Sequence, residues 1–249
     1  MRDTSSLARA AKGVGSAFYC VPQSGESSDV AAYYRSFAEP AAAAFADAKV
    51  ARVVTISGGR GDPSDVGPSG PLAAMERSFD ATGAATRHVR CGYFMENFLY
   101  MIPQLKFTGS FSLPVAGTTA LSLESAQDIG RTAARWILDS TWHNQEGVSV
   151  PYGELMSCDD AAVILSRALG KRIVYKAITG EAYKANLVKY GVSSAMGQAL
   201  KEMFDDMEHG SIGSANGPKD KDSLSFATWA QTALKPQMTW WRVLRRVAA

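Results

Sequence analysis

The residues best suited to chemistry lie at the ends of two predicted strands. Ser57 and Gly58 follow one β-branched run, and Arg90 and Gly92 follow another. The hydroxyl of Ser57 can hydrogen-bond a substrate oxygen, which makes it the candidate catalytic group, but a hydroxyl at a strand end can equally well satisfy the turn. Ligands of open α/β sheets bind in the crevice beyond the carboxyl ends of the strands. We therefore expect a small-molecule pocket at this edge.

Aromatic and apolar residues extend the same edge. Tyr93, Phe94 and Asn97 come directly after the glycine that ends one strand, and Val21 and Pro22 end an earlier apolar run. A glycine followed by aromatic residues at the exit of a strand is typical of a pocket lining. The alternative is an ordinary strand-to-helix corner with buried aromatic rings. The full predicted pocket consists of Val21, Pro22, Ser57, Gly58, Arg90, Gly92, Tyr93, Phe94 and Asn97.

Predicted strands and helices alternate in the first hundred residues. Apolar and β-branched runs predict strands at 16–21, 52–56 and 86–90, and apolar spacing predicts helices at 3–13, 33–49 and 72–82. This alternation favours βαβ units and a parallel sheet, so the predicted fold class is α/β. Pro40 lies in the second helical stretch, where it either kinks the helix or opens a new one.

The pattern is looser beyond residue 100. A helix is predicted at 125–138, and a second helix, capped by Ser157, ends at Gly170. Short strands are predicted at 148–152 and 172–177, and helices are predicted from about residue 181 onward.

Composition excludes several classes of protein. Of the 249 residues, 46% are apolar and 20% are charged, and a net charge of +2 predicts no broad nucleic-acid surface. No apolar run approaches the roughly 20 residues that span a bilayer, and the N-terminus carries no signal-peptide core. The three cysteines, Cys20, Cys91 and Cys158, are widely spaced. That spacing favours buried, reduced thiols in a cytoplasmic protein.

No residue spacing indicates a metal site. His88, His143 and His209 lie on unrelated elements, and no cysteine or histidine pair has the spacing of metal ligands. His88 and Arg87 stand inside a predicted strand. They are therefore either satisfied core residues or pocket residues.

One run of residues resembles a known family. Arg90, Gly92 and 94–97 are similar to the R-P-G-x-F-M-E-N pattern of the NmrA-like family of atypical short-chain dehydrogenases/reductases, with Cys91 in place of the proline. Further family segments are resembled by residues 3–14, 18–22, 53–58, 125–130 and 157–175, and the likeness extends from about residue 3 to about residue 236. It implies a Rossmann-like parallel sheet in a core at 1–152, interleaved with a small, mainly helical substrate-side subdomain at 153–249. It also implies NAD(P)(H) as cofactor.

The chain departs from the family where the cofactor is held. Family members begin with a strand and a G-x-x-G-x-x-G loop, whose amides hold the pyrophosphate, and no such pattern occurs near this N-terminus. The resemblance therefore implies a sheet that lacks its first strands, and weak or absent NAD(P)(H) binding. The cluster Gly58-Gly59-Arg60-Gly61 belongs to another loop and is explained by turn chemistry. The family's Y-x-x-x-K pair is also absent from 72–79, and Ala73 replaces the lysine that some members keep.

Three functions stay open on this basis. The first is a family member with a degenerate dinucleotide site that binds a small molecule, or catalyses a non-redox step, in the retained pocket. The second is an NAD(P)H-dependent reductase whose true N-terminus lies upstream. The third is a redox-sensing regulator that acts through a protein partner. Whether the chain is an enzyme is therefore left undecided by the sequence.

The first predicted strand has an expected consequence for assembly. In the family it pairs on one side with a strand that this sequence does not contain, which leaves an apolar edge at 16–21 without charges or prolines to protect it. We expect this edge to be covered by a second copy in a homodimer, or by the chain's own C-terminal segment with Trp240 and Trp241.

Overall fold

The computed structural model describes residues 2–62, 64–151, 155–208 and 219–238. The strands are β1 (Ser16–Tyr19), β2 (Arg52–Gly58), β3 (Ala85–Cys91), β4 (Tyr93–Phe94), β5 (Ser110–Phe111), β6 (Ala120–Glu124), β7 (Gln145–Ser149), β8 (Leu155–Ser157) and β9 (Val174–Tyr175). The helices are α1 (Thr4–Ala11), α2 (Val30–Asp47), α3 (Ser69–Asp80), α4 (Asn97–Tyr100), α5 (Ile102–Phe107), α6 (Ala126–Leu138), α7 (Cys158–Leu169), α8 (Gly180–Lys189), α9 (Ser194–Glu208) and α10 (Phe226–Trp229). A π-helical turn, Ala230–Leu234, continues α10.

The main sheet is parallel and has the strand order β1-β2-β3-β7. The middle strands β2 and β3 are buried over most of their length, as expected of parallel strands that are covered on both faces. The structure thus confirms the predicted α/β class. The carboxyl ends of β2 and β3 lie side by side, because Ser57 pairs in register with Arg90 and Gly58 with Cys91.

Helices cover both faces of this sheet. On one face, Tyr19 and Val53 pack with α2 and α3 in a single apolar cluster. On the other face, Val54 and Val89 pack against Ile129 of α6. Successive residues of a strand point to opposite faces, so Thr55 and Ser57 lie on the α3 side with Val53.

The helix α2 runs through Pro40 without a break. The sequence left open whether this proline kinks the helix or starts another one, and the structure shows one helix of 18 residues. A proline inside a helix costs about 3 kcal/mol. Its neighbours Phe37, Ala38, Ala41 and Phe45 are buried against the sheet, and burial of this face outweighs that cost.

A second apolar core lies beyond the carboxyl end of the main sheet. It is built on two small sheets, with the strand orders β4-β6-β8 and β5-β9, and on helices α5, α7 and α10. Ser157 caps α7 as predicted, with its hydroxyl accepting from the amide of Asp160, and Gly170 ends that helix in the left-handed conformation with φ of 67°. The helix α6 likewise begins at the predicted cap, Ser125.

Strand β1 is an edge strand among the described residues, with β2 as its neighbour. Phe18 pairs in register with Val54, so its ring lies on the α6 face of the sheet. That ring is 52% exposed. The segment that the sequence suggests as a cover, with Trp240 and Trp241, lies outside the described residues.

Within the described ranges, no helix is both long enough and apolar enough to cross a bilayer. The cysteines are free, and Cys158 is buried while Cys91 is half-buried. Cys20 is exposed, contrary to the burial expected of it, because it follows the last residue of an edge strand.

Candidate functional site

Three polar side chains meet where β2 and β3 end under α3. The hydroxyl of Ser57 donates to Glu76 Oε1 at 2.6 Å. Arg90 donates to the same carboxylate twice, from Nε to Oε1 at 3.1 Å and from Nη2 to Oε2 at 2.6 Å. Glu76 is 3% exposed, and its hydrogen bond raises the pKa of Arg90. The structure therefore brings together two of the predicted site residues through a third, Glu76.

The three side chains of this group hydrogen-bond to one another. The Ser57 proton already points to a carboxylate, and that carboxylate takes three hydrogen bonds in all. A general acid needs a proton within reach of the substrate. The positions on α3 that face this point carry alanine and glutamate, Ala73 and Glu76, and neither is a phenol or an ammonium group. The group ties the sheet to α3 and is poorly placed to exchange protons with a carbonyl substrate.

Two glycines make room for the Arg90 guanidinium. A Cβ atom added at Gly61 or at Gly147 would overlap this guanidinium. Gly61 also has φ of 75°, which side chains other than glycine rarely adopt. The sequence did not predict that these two glycines leave space for the guanidinium, because Gly61 and Gly147 lie in a loop and a strand that are far apart in the chain.

The glycine-rich loop after β2 encloses a carboxylate of its own. Asp65 accepts from the backbone amides of Arg60 at 3.0 Å, Gly61 at 2.7 Å and Asp62 at 3.3 Å. The Asp65 side chain is fully buried. Successive amides that point to one place form an anion-binding nest, and here Asp65 is the anion. A cofactor pyrophosphate needs free amides of this kind, so the described residues of this loop do not fit one.

The side chain of Arg60 connects this loop to the helical part of the chain. Its guanidinium lies 3.3 Å from Asp206 of α9 and 3.5 Å from Asp62. Gly67 touches the backbone of the same helix, since a Cβ at this glycine would overlap the carbonyl of Ala199. The loop is therefore held at both ends by contacts that do not involve a ligand.

A second polar cluster lies deeper under α3. The hydroxyl of Thr55 is 2.8 Å from Nδ1 of His88, and Nε2 of His88 is 3.0 Å from Oδ1 of Asp80. Thr86 donates to the same oxygen. Burial raises the pKa of Asp80, but the hydrogen bonds from His88 and Thr86, together with nearby charges, leave that pKa below its ordinary value. The order hydroxyl, imidazole, carboxylate matches that of hydrolytic triads.

The burial of this cluster excludes a hydrolytic reaction there. Thr55 is 0% exposed and His88 is 2% exposed, so no substrate reaches the hydroxyl. Of the two interpretations of His88, the structure supports the satisfied core residue. Arg87 is also a core residue: its guanidinium lies 4.7 Å from the ring centre of Trp136 and 4.5 Å from that of Trp142.

Glu124 is a buried carboxyl that sequence reasoning did not single out. It ends β6 and accepts from the amide of Gly92 at 2.9 Å and from the hydroxyl of Ser122 at 3.2 Å. Burial raises its pKa from 4.5 to about 7. The sequence feature that could have indicated Glu124 is an acidic residue at the end of a buried strand, directly before the residue that caps a helix.

The other predicted pocket residues are spread over several environments. Tyr93 is buried in the second core, with ring centres 6.3 Å from Phe98 and 6.0 Å from Phe204. Phe94 packs at the α6 face of the main sheet. Val21 is buried in the α2 cluster, and the carbonyl of Pro22 accepts from the Tyr33 hydroxyl. Asn97 begins α4.

The described residues form a partly open cavity elsewhere, which we call the α10 cavity. Its volume is about 170 Å³, and none of the nine predicted pocket residues belongs to its lining. The lining residues are Met95, Leu123, Met156, Lys221, Ser223, Leu224, Ser225 and Phe226. The described ranges contain no cluster of three or more histidine, cysteine or acidic residues that could hold a metal ion.

Sequence comparison adds a family match. Residues 72–229 match the model of the NmrA-like family. The chain is 27% identical over 133 residues to an NAD(P)H azoreductase of Xenophilus azovorans, a match that covers 53% of this chain and 46% of the azoreductase. It is 25% identical over 136 residues to prestalk A differentiation protein A of Dictyostelium discoideum, with 54% of this chain and 44% of that protein covered. The matched region thus spans less than half the length of these relatives.

Structural comparison supports the same fold. A nucleoside-diphosphate-sugar epimerase from Staphylococcus aureus matches with a TM-score of 0.76 and 18% identity over 92% of this chain and 80% of that chain. An NADPH-dependent quinone oxidoreductase from Escherichia coli, solved with NADPH, matches with a TM-score of 0.69 and 21% identity over 97% and 81%. The negative transcriptional regulator NmrA matches with a TM-score of 0.71 and 15% identity over 96% and 80%.

Proposed function

The chain belongs to the NmrA-like family, and from this premise we propose that it binds a small molecule at the carboxyl edge of its sheet and binds NAD(P)(H) weakly or not at all. Its dinucleotide site is then degenerate, and any reaction that it catalyses is a non-redox one. Ser57, Gly58 and Arg90 mark the edge at which the ligand binds.

The observation that carries the proposal is that the sequence has no strand followed by the family's phosphate-binding loop, and the Asp65 carboxylate excludes the glycine-rich loop after β2 as a substitute. The Asp65 carboxylate accepts hydrogen bonds from three backbone amides of the glycine-rich loop after β2. A phosphate would have to displace this buried carboxylate to bind there. The 249 residues contain neither the G-x-x-G-x-x-G loop nor a Y-x-x-x-K pair on α3. Without these groups the chain has neither a pyrophosphate cradle nor the usual proton donor.

Calorimetric titration of the 249-residue chain with NADPH tests the proposal. We expect a dissociation constant weaker than about 100 µM, which corresponds to about −5.5 kcal/mol. The quinone oxidoreductase from Escherichia coli, which has been solved with NADPH, is the positive control. Low-micromolar binding by this chain, at about −8 kcal/mol, would overturn the degenerate site.

A second candidate function is an NAD(P)H-dependent reductase. The likeness to an NAD(P)H azoreductase favours it. Two observations separate the candidates. An in-frame strand and G-x-x-G-x-x-G loop upstream in the gene would favour the reductase, as would oxidation of NADPH in the presence of an azo dye or a quinone by the purified chain.

We also propose that two copies of the chain pair through β1, and that the protein is cytoplasmic. The edge position of β1 and the 52% exposure of Phe18 support the pairing, because an unprotected apolar edge invites another strand. The three free cysteines support a reducing compartment.

A further inference from the structure

The α10 cavity has apolar walls on most of its surface. Met95, Leu123, Met156 and Phe226 each have at most 5% of their surface exposed, and all four line it. These side chains come from β6, β8, α10 and the segment after β4, so the walls belong to the second core. An apolar cavity of about 150 Å³ holds a benzene-sized ring, and this one has about 170 Å³.

One side of the α10 cavity is polar. It is formed by Lys221, Ser223 and Ser225. The hydroxyl of Ser223 donates to the carbonyl of Pro151 at 3.1 Å, and that of Ser225 donates to Thr228 Oγ1 at 2.9 Å. The hydroxyl protons are therefore already used. Among the side chains of the lining, the donors left for a ligand belong to the ammonium group of Lys221.

The Lys221 ammonium group has no carboxylate partner in the described part of the chain. No ion pair joins it to any described acidic residue. The neighbouring Asp220 and Asp222 do not line the cavity, and Asp220 accepts from the amide of Asp222 at 2.9 Å. Among the residues that line the cavity, Lys221 thus carries the only charge.

We propose that the α10 cavity binds a small monocarboxylic acid with a ring-sized apolar body. The ring or branched alkyl group lies against Met95, Met156 and Phe226, whose polarisable thioethers and aromatic face suit such a body. The carboxylate lies at Lys221, where one negative charge meets one positive charge. Lys221 is the only charged residue of the lining, so a carboxylate gains an attraction there that a neutral ligand of the same shape does not.

This inference goes beyond the proposed function, because the cavity shares no lining residue with the Ser57–Glu76–Arg90 group. An experiment that contradicts the monocarboxylate site therefore does not contradict the proposed function, and the reverse also holds. Binding of a monocarboxylate to the cavity says nothing about NADPH, and tight NADPH binding would leave the cavity unchanged.

Nuclear magnetic resonance with ¹³C-methyl methionine tests the proposal, using benzoate as the probe. We expect benzoate to shift the methyl signals of Met95 and Met156 in a saturable way. Benzyl alcohol, which has the same ring and no charge, should bind about threefold to tenfold more weakly. The substitution Lys221→Gln should weaken benzoate binding by the same factor and leave benzyl alcohol unaffected.

The matched control is Lys189→Gln, which removes one positive charge from the exposed end of α8. It should bind benzoate as the parent does. The proposal is overturned if neither methionine signal responds to benzoate, if benzyl alcohol binds as tightly as benzoate, or if Lys221→Gln behaves like Lys189→Gln. Because Lys221 is exposed, its substitution leaves the fold intact and each result can be interpreted.

Discussion

Arg90 and Glu76 form a two-point ion pair, with contacts of 3.1 and 2.6 Å, between the main sheet and α3. Glu76 is 3% exposed, and Ser57 adds a third hydrogen bond to the same carboxylate. A buried charge that loses its partner is strongly destabilising, whereas replacement of both partners costs less. This pair therefore positions α3 over the carboxyl edge, where the proposed pocket lies.

We expect Arg90→Leu to lower the free energy of unfolding by about 3–5 kcal/mol, because it leaves the Glu76 carboxylate buried and unpaired. The double substitution Arg90→Leu with Glu76→Leu should recover part of that loss. Urea denaturation measures both. The control is Lys201→Met, which removes a partly exposed ion pair with Asp205 at 2.9 Å and should cost under about 1 kcal/mol. Equal losses for Arg90→Leu and Lys201→Met would contradict the role given to the buried pair.

Glu124 makes stability depend on pH. Burial raises its folded pKa from 4.5 to about 7, so the folded protein keeps a proton that the unfolded chain releases. Below pH 4.5 the carboxyl group is protonated in both states. Stability therefore falls as pH rises through the window from 4.5 to 7, by at most about 3 kcal/mol, and stays lower above it.

We expect Glu124→Gln to remove this slope, since a neutral amide can still accept from the Gly92 amide. The difference in unfolding free energy between variant and parent, measured at a series of pH values, isolates Glu124 from other titrating groups. The variant should be the more stable protein above pH 7 and should lose that advantage below pH 4.5. A difference that is constant over the whole range would rule out a raised pKa at this position.

The Asp65 carboxylate is expected to be replaceable by a free anion. Asp65→Ala removes the acceptor of three backbone amides and should cost about 2–3 kcal/mol in unfolding free energy. Sulfate should then raise the melting temperature of this variant by binding the open nest. Asp62→Ala is the control, because Asp62 is exposed and accepts from Ser64. If sulfate raises the melting temperatures of both variants equally, the nest is not an anion site.

The sequence predicts the strands and helices of the main sheet well, because each is a local pattern. Strand β2 is predicted at 52–56 and found at Arg52–Gly58, and α6 is predicted at 125–138 and found at Ala126–Leu138. Their apolar spacing matches the faces that they bury. The short strand β4 was not predicted, because Tyr93 and Phe94 pair with Leu123 and Glu124, thirty residues further along the chain.

The candidate site was predictable in part for the same reason. Ser57 and Arg90 lie at neighbouring strand ends, and the topology of a parallel sheet brings such ends together. Glu76 lies on a helix, and its contact with both residues depends on how α3 packs. The α10 cavity depends on contacts between Met95 and Phe226, which are far apart in sequence, so no local pattern could indicate it.

The last prediction concerns the open edge at β1. Phe18 is 52% exposed on a strand of four residues that carries neither charge nor proline. Two copies related by a twofold axis can pair their β1 strands antiparallel and join two four-stranded sheets into one. That pairing would satisfy the outer backbone groups of β1 and cover both Phe18 rings. We expect the parent to sediment as a dimer and Phe18→Lys to sediment as a monomer or to lose solubility. Tyr190→Lys, which places the same charge at an 82% exposed position after α8, should stay dimeric. A parent that sediments as a stable monomer at micromolar concentration would refute pairing through β1.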